Sequence, residues 1–243
     1  LPNFSFSKNI LFENFDGNLM FTSSGNNKLY NTNINETSII NDLNYESNNF
    51  FSKSGFKNKY SIFVKNVSSI GKNSIKYKES VQSDLSSAFI FDSMFPLEKE
   101  NNQYRELLTP KISLRFNPTQ MKNYKTNSSR LDTSNLFSKN RIGISDTLEA
   151  GRSITVGLDY ENKKRNIKNN EHEDFLKLEL GTVLRDKKEE NIPKNSTIGR
   201  KTSNIFGKFA YKPNDILDLN YNFSIDNDLN TLNYNSIEAL VTF

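Results

Sequence analysis

Apolar and polar residues alternate along most of this chain. Leu217, Leu219, Tyr221, Phe223 and Ile225 are interleaved with Asp218, Asn220, Asn222, Ser224 and Asp226. Successive side chains of a β-strand point to opposite faces, so a period of two predicts a strand with one apolar and one polar face. The same rhythm runs through residues 56–65, 85–91, 111–116, 153–160, 176–185 and 204–212, and resumes at Ile237. Between these runs lie turn-rich pieces: Ser24-Gly25-Asn26-Asn27, residues 163–174, residues 186–199 and Pro213-Asn214-Asp215. No window carries apolar residues at helical spacing between caps, and no fixed-length repeat marks a propeller or solenoid. The pattern therefore predicts an all-β chain of roughly 12 strands.

The strand runs are about 9–11 residues long, the length of a tilted strand crossing an outer membrane. Strands of soluble sandwiches are usually shorter, with a mode near ~5–6. Tight and long connectors alternate, as they do in barrels with short periplasmic turns and longer extracellular loops. Apolar runs such as Ala88-Phe89-Ile90-Phe91 are far short of the ~20 residues of a membrane helix.

Composition bears on this picture at three points. Only 35% of the residues are hydrophobic and the mean hydropathy is −0.68, which alone would suit a disordered chain. The 19 Phe and 10 Tyr argue for order, because they fall inside the alternating runs. A structure needing only one apolar face per strand satisfies both facts. The net charge of +4 comes without a compact basic face interleaved with aromatics, so nucleic acid is not an expected partner. The absence of Cys removes disulfides and thiolate metal sites.

The most specific stretch is SSRLDTSNLFSKNRIGISDTLEAGRSITVGLDY, from Ser128 to Tyr160. Asp132, Leu136-Phe137 and Asn140-Arg141 are followed by Asp146, Glu149 and Gly151, where the chain turns into a strand. This spacing resembles the barrel domain of the LptD family of lipopolysaccharide-assembly outer-membrane proteins, particularly its alphaproteobacterial members. Leu1-Pro2-Asn3-Phe4, Leu108-Thr109-Pro110-Lys111-Ile112 and Ser203-Asn204-Ile205-Phe206-Gly207 are similar to further strand starts of that family. The chain departs from it at Ile144-Ser145-Asp146-Thr147, where the family usually reads Gly-x-Asp-Arg.

The resemblance implies an antiparallel transmembrane β-barrel, with residues 1–243 as part of one barrel domain. A periplasmic jellyroll and the final strands are expected outside this chain. It implies lipopolysaccharide delivery from the periplasm to the outer leaflet, with no catalysis and no cofactor. The implied partners are lipopolysaccharide, outer-membrane lipid, an LptE-like plug lipoprotein and the periplasmic lipopolysaccharide-bridge proteins. The alternative is another outer-membrane barrel, either a porin-like channel or a structural, adhesin-like one.

Candidate chemistry is sparse. His172 is the only His and has no nucleophile motif beside it, so it is read as a solvated loop residue. Asp226-Asn227-Asp228-Leu229-Asn230 lacks the Gly and distal Glu of an EF-hand loop and is read as a hairpin turn. Lys163, Lys164, Arg165 and Lys168 form the sharpest basic cluster, read as a loop that could meet lipopolysaccharide phosphates at the extracellular rim. Asn140, Arg141 and Asp146 are read as a polar network in the lumen or at a strand–loop junction, used structurally.

Overall fold

The structure, a computed structural model, describes residues 2–10, 16–30, 33–166 and 171–242. Within them the alternating runs become one antiparallel sheet of 13 strands. They are β1 (Asn3–Ile10), β2 (Gly17–Leu29), β3 (Asn35–Ser47), β4 (Phe50–Phe51), β5 (Lys57–Lys72), β6 (Gln82–Met94), β7 (Leu97–Glu100), β8 (Tyr104–Asn117), β9 (Gly151–Arg165), β10 (His172–Arg185), β11 (Ile205–Tyr211), β12 (Leu217–Ile225) and β13 (Leu232–Val241). Each long strand pairs with its neighbour in sequence. The two short ones, β4 and β7, pair with β5 and β8 and stand off this path. β7 continues the line of β6 beyond Phe95-Pro96, where proline has no N–H to give the ladder. The only helical turn described is Lys194–Ser196. The sheet is open, with β1 and β13 as its edges, so barrel closure is not a feature of this structure.

Several elements differ from the sequence expectation. Ser24-Gly25-Asn26-Asn27 is not a turn but lies inside β2, paired on both sides. Gly25 is needed there because the Phe4 ring lies across it, where a Cβ would stand only 2.2 Å from a ring carbon. Residues 163–165 and 172–174 belong to β9 and β10, whose ladder runs on to the Arg165–His172 pair. His172 therefore opens a strand instead of sitting in a loop. Strands reach 16 residues in β5, because pairing continues through Ser68 and Ser69 after the apolar alternation has faded. Leu1 and Phe243 lie outside the described residues.

The two faces of the sheet have opposite chemistry. One cross-strand row runs Leu108–Tyr160–Leu178–Phe209–Tyr221–Ile237 over six strands. On β9, Ile154 and Val156 of this apolar face are 40% and 43% exposed. Ser153 and Thr155, between and beside them, are 4% and 2% exposed on the other face. A soluble sheet buries its apolar face. This one exposes it and covers its polar face.

The cover comes from the chain itself. Segment 118–150, between β8 and β9, and segment 186–204, between β10 and β11, fold onto the polar face. Met121, Tyr124, Leu131, Leu136 and Ile142 of the first segment pack with Ile192 and Ile198 of the second and with Val183 and Phe206 of the sheet. The segments are also strapped together, since Tyr124 N–H donates to Asn191 O (2.8 Å) and Lys194 N–H to Lys125 O (3.2 Å). Their burial supplies the apolar core that the inverted sheet lacks. Both leave the same end of the sheet, while the connectors at the other end, such as 166–171 and 212–216, are short.

Candidate functional site

The residues singled out by spacing lie in or next to the covering segment 118–150, and local chemistry explains their positions. Asp132 Oδ1 accepts from the backbone N–H of Ser134 (2.9 Å) and from its hydroxyl (2.5 Å). Leu136 N–H closes back on Asp132 O (3.0 Å). This turn presents Leu136-Phe137 to the sheet. They land on Gly157 and Gly181, which are directly paired across β9 and β10. A Cβ on Gly181 would stand 2.5 Å from Leu136 Cδ2, and one on Gly157 would stand 2.7 Å from the Phe137 ring. Paired glycines thus form a seat for the Leu-Phe dipeptide. Neither glycine was legible as part of the motif from spacing alone.

Asn140 turns the chain next. Its side-chain amide donates to Ile144 O (2.9 Å), and Gly143 takes φ +69, a conformation glycine adopts without strain. Arg141 then points into the interior. Its guanidinium grips both oxygens of Glu149 (2.6 Å each) and donates to Thr155 (2.7 Å) and Ser153 (2.9 Å) of β9. Arg185 of β10 reaches the same carboxylate at 2.5 Å and also donates to Ala150 O. Gly151 makes that approach possible, with φ +85 and Arg185 Nη2 2.8 Å from where its Cβ would be. Arg115 and Arg185 flank Ser153 in one cross-strand row. Arg115 holds the covering segment by donating to Ser138 O (2.8 Å) and Lys139 O (2.6 Å). Burial by itself would raise the Glu149 carboxyl. The charge and hydrogen bonds of Arg141, with Arg115 and Arg185, outweigh it and hold it at about 2.

Asp146 organises a second polar knot. It accepts from the hydroxyls of Tyr77 (2.9 Å) and Tyr124, and Lys76 lies 3.1 Å away. Burial opposes ionisation, but Tyr124, Lys76 and Tyr77 keep the carboxyl below its usual range. The Tyr124 hydroxyl is pushed up by burial and by its bond to Asp146. Where the sequence has Thr147 in place of an arginine, the cation beside Asp146 is Lys76 of the connector between β5 and β6. A third tie is Lys65 of β5, which bridges Asp42 (2.6 Å) and Ser145 O (2.7 Å).

The structure thus brings Arg141, Asp146, Glu149 and Gly151 together with Arg115, Arg185, Tyr77 and Tyr124. The two arginines carry a sequence signal: each is a polar-face strand position, and Arg115 follows Ser113 on that face. The tyrosines carry none, since they stand in irregular connectors.

Lys163, Lys164 and Arg165 lie at the opposite end of β9 from Gly151 and this cluster. They end β9 at the short-connector end of the sheet, and Lys163 is 3.3 Å from Asp174. Lys168 lies outside the described residues. Among the described residues no group of acids and histidines is arranged to hold a metal ion.

A comparison with known protein families matches residues 14–241 to LptD, LPS transport system D. The chain belongs to the LptD family. The match covers the sheet from β2 to β13 and both covering segments. LptD proteins serve lipopolysaccharide transport at the outer membrane, a transport and assembly role. The exposed apolar strands are consistent with that location. No curated protein matches the chain.

Proposed function

We propose that this chain forms part of the wall and inner plug of an LptD-type β-barrel that delivers lipopolysaccharide from the periplasm to the outer leaflet. The observation that carries the reading is the inverted sheet. Its apolar face suits lipid, and its polar face, lined with Ser, Thr, Lys and Arg, suits a wet lumen. The transfer is physical: the polar face accommodates the sugar head while acyl chains stay in lipid. Further strands complete the wall beyond β1 and β13, whose free N–H and C=O groups need partners in hydrocarbon. An LptE-like lipoprotein and the periplasmic bridge proteins are the proposed partners.

Outer-membrane barrels have short periplasmic turns and long extracellular loops. By that rule segments 118–150 and 186–204 enter from the outside. Lys163, Lys164 and Arg165 then belong to the periplasmic rim, not the outer one, where arriving lipopolysaccharide would present its phosphates. Depleting the protein that carries this chain should leave lipopolysaccharide behind in the periplasm and inner membrane, read by surface labelling and fractionation. Normal surface lipopolysaccharide with reduced uptake of small solutes would support a porin-like channel instead.

A further inference from the structure

Beside Phe137, on the polar face, lies a cavity of about 370 Å³. Its lining includes Phe137, Lys59, Asp92, Thr109, Lys111 and Asp159. We propose that this cavity is a saccharide subsite that takes a single hydroxyl-rich sugar ring.

Three features carry the assignment. The first is spare acceptor capacity. Asp92 Oδ1 and Asp159 Oδ1 are both buried, and neither accepts a hydrogen bond from any described residue. Buried carboxylate oxygens require donors, and sugar hydroxyls supply them. The second is fixed orientation: Lys111 Nζ holds Asp159 Oδ2 at 2.7 Å. The third is an apolar wall. Phe137 lines the cavity, fixed by its seat on Gly157, with Lys111 Nζ 4.4 Å from its ring centroid. An aromatic ring offers packing area to the C–H face of a sugar, while the acids and lysines meet its hydroxyls at the edge. Lys57, Lys59 and Lys111 share the lining with the two acids, so phosphate is the competing occupant that the titration separates from sugar. Its volume lies at the small end of ligand pockets, about 300–1,000 Å³.

The proposal rests on the transport reading, since a sugar on this face is the head of the transported lipid. The chain has no Trp, so Phe137→Trp gives a single emission reporter that keeps an aromatic wall. The full chain, folded in a detergent without a sugar headgroup, is titrated with glucose, N-acetylglucosamine and inorganic phosphate. A saturable change with at least one sugar, on the order of millimolar, is expected. Asp92→Asn and Asp159→Asn should each weaken it about tenfold by replacing a charged acceptor. Saturation-transfer NMR on the unsubstituted chain reads the same binding without the Trp. No saturable sugar signal by either method, unchanged affinity in both Asn variants, or displacement by phosphate as effective as by sugar would each overturn the proposal. If sugars fail to bind while depletion still strands lipopolysaccharide, the subsite is wrong and the transport reading stands.

Discussion

Glu149 shows how one carboxylate can anchor a whole segment. It is fully enclosed, and Arg141 and Arg185 both bond it. Substitution Glu149→Gln leaves two buried guanidiniums without a counter-charge, which costs about 3–5 kcal/mol. Urea unfolding of the chain in micelles, followed by its β-sheet circular dichroism, measures that loss. The pH dependence follows from the same contacts. The folded-state pKa is depressed, so the stabilisation is complete above the ordinary value of 4.5 and is lost as pH falls towards about 2. An acid titration of the wild-type chain should show a stability loss in that window, and Glu149→Gln should flatten it. The paired glycines invite a second substitution. Gly157→Ala places a methyl against the Phe137 ring and Leu180 O, and overpacking of this kind costs about 1–3 kcal/mol. Gly143→Ala meets no atom within 4 Å and is disfavoured by its positive φ alone. Its smaller effect in the same assay separates packing from backbone conformation.

At the scale of elements, alternation made the strands legible because it is a direct image of the two faces. From β8 to β12 the apolar set and the strand interiors agree with the period-two reading. Strand ends were less legible, since a ladder needs only backbone groups and runs on through polar residues such as Ser68-Ser69 or Lys163–Arg165. The residues at 24–27 looked like a turn for the same reason. Of the buried clamp, the motif residues Arg141, Asp146 and Glu149 stood out by spacing. Of the groups that meet Asp146, Tyr77 and Lys76 come from the β5–β6 connector and Tyr124 from 22 residues upstream in the same segment, and only the fold brings them near. The facing of the strands gives a further test. Leu178 sits mid-row on the exposed apolar face, and Leu178→Arg should cost about 2–4 kcal/mol if that face meets lipid near the bilayer midplane. Lys177→Arg, on the polar face beside it, should be near neutral. Equal effects in a bilayer folding assay would argue against a lipid-facing row.

For the whole molecule, the decisive property is that the packed core and the exposed apolar surface lie on opposite sides of one sheet. Segments 118–150 and 186–204 form the core, and the strands form the surface. This arrangement bears on timing. β8 and β9 are neighbours in the sheet, yet the chain between them must first wander across the polar face and return. Loop closure grows more costly with length, so this pairing lags behind the short hairpins. The segment is anchored by Arg115 on one flanking strand and Thr155 on the other, so its docking and the joining of β8 to β9 are a single event. Pulse-labelled hydrogen exchange during refolding should show the β9–β10 hairpin protected first, with β8 and residues 131–150 gaining protection together afterwards. If the sheet is the wall of a barrel as proposed, that order of events would bring it to the membrane with its inner cover already docked.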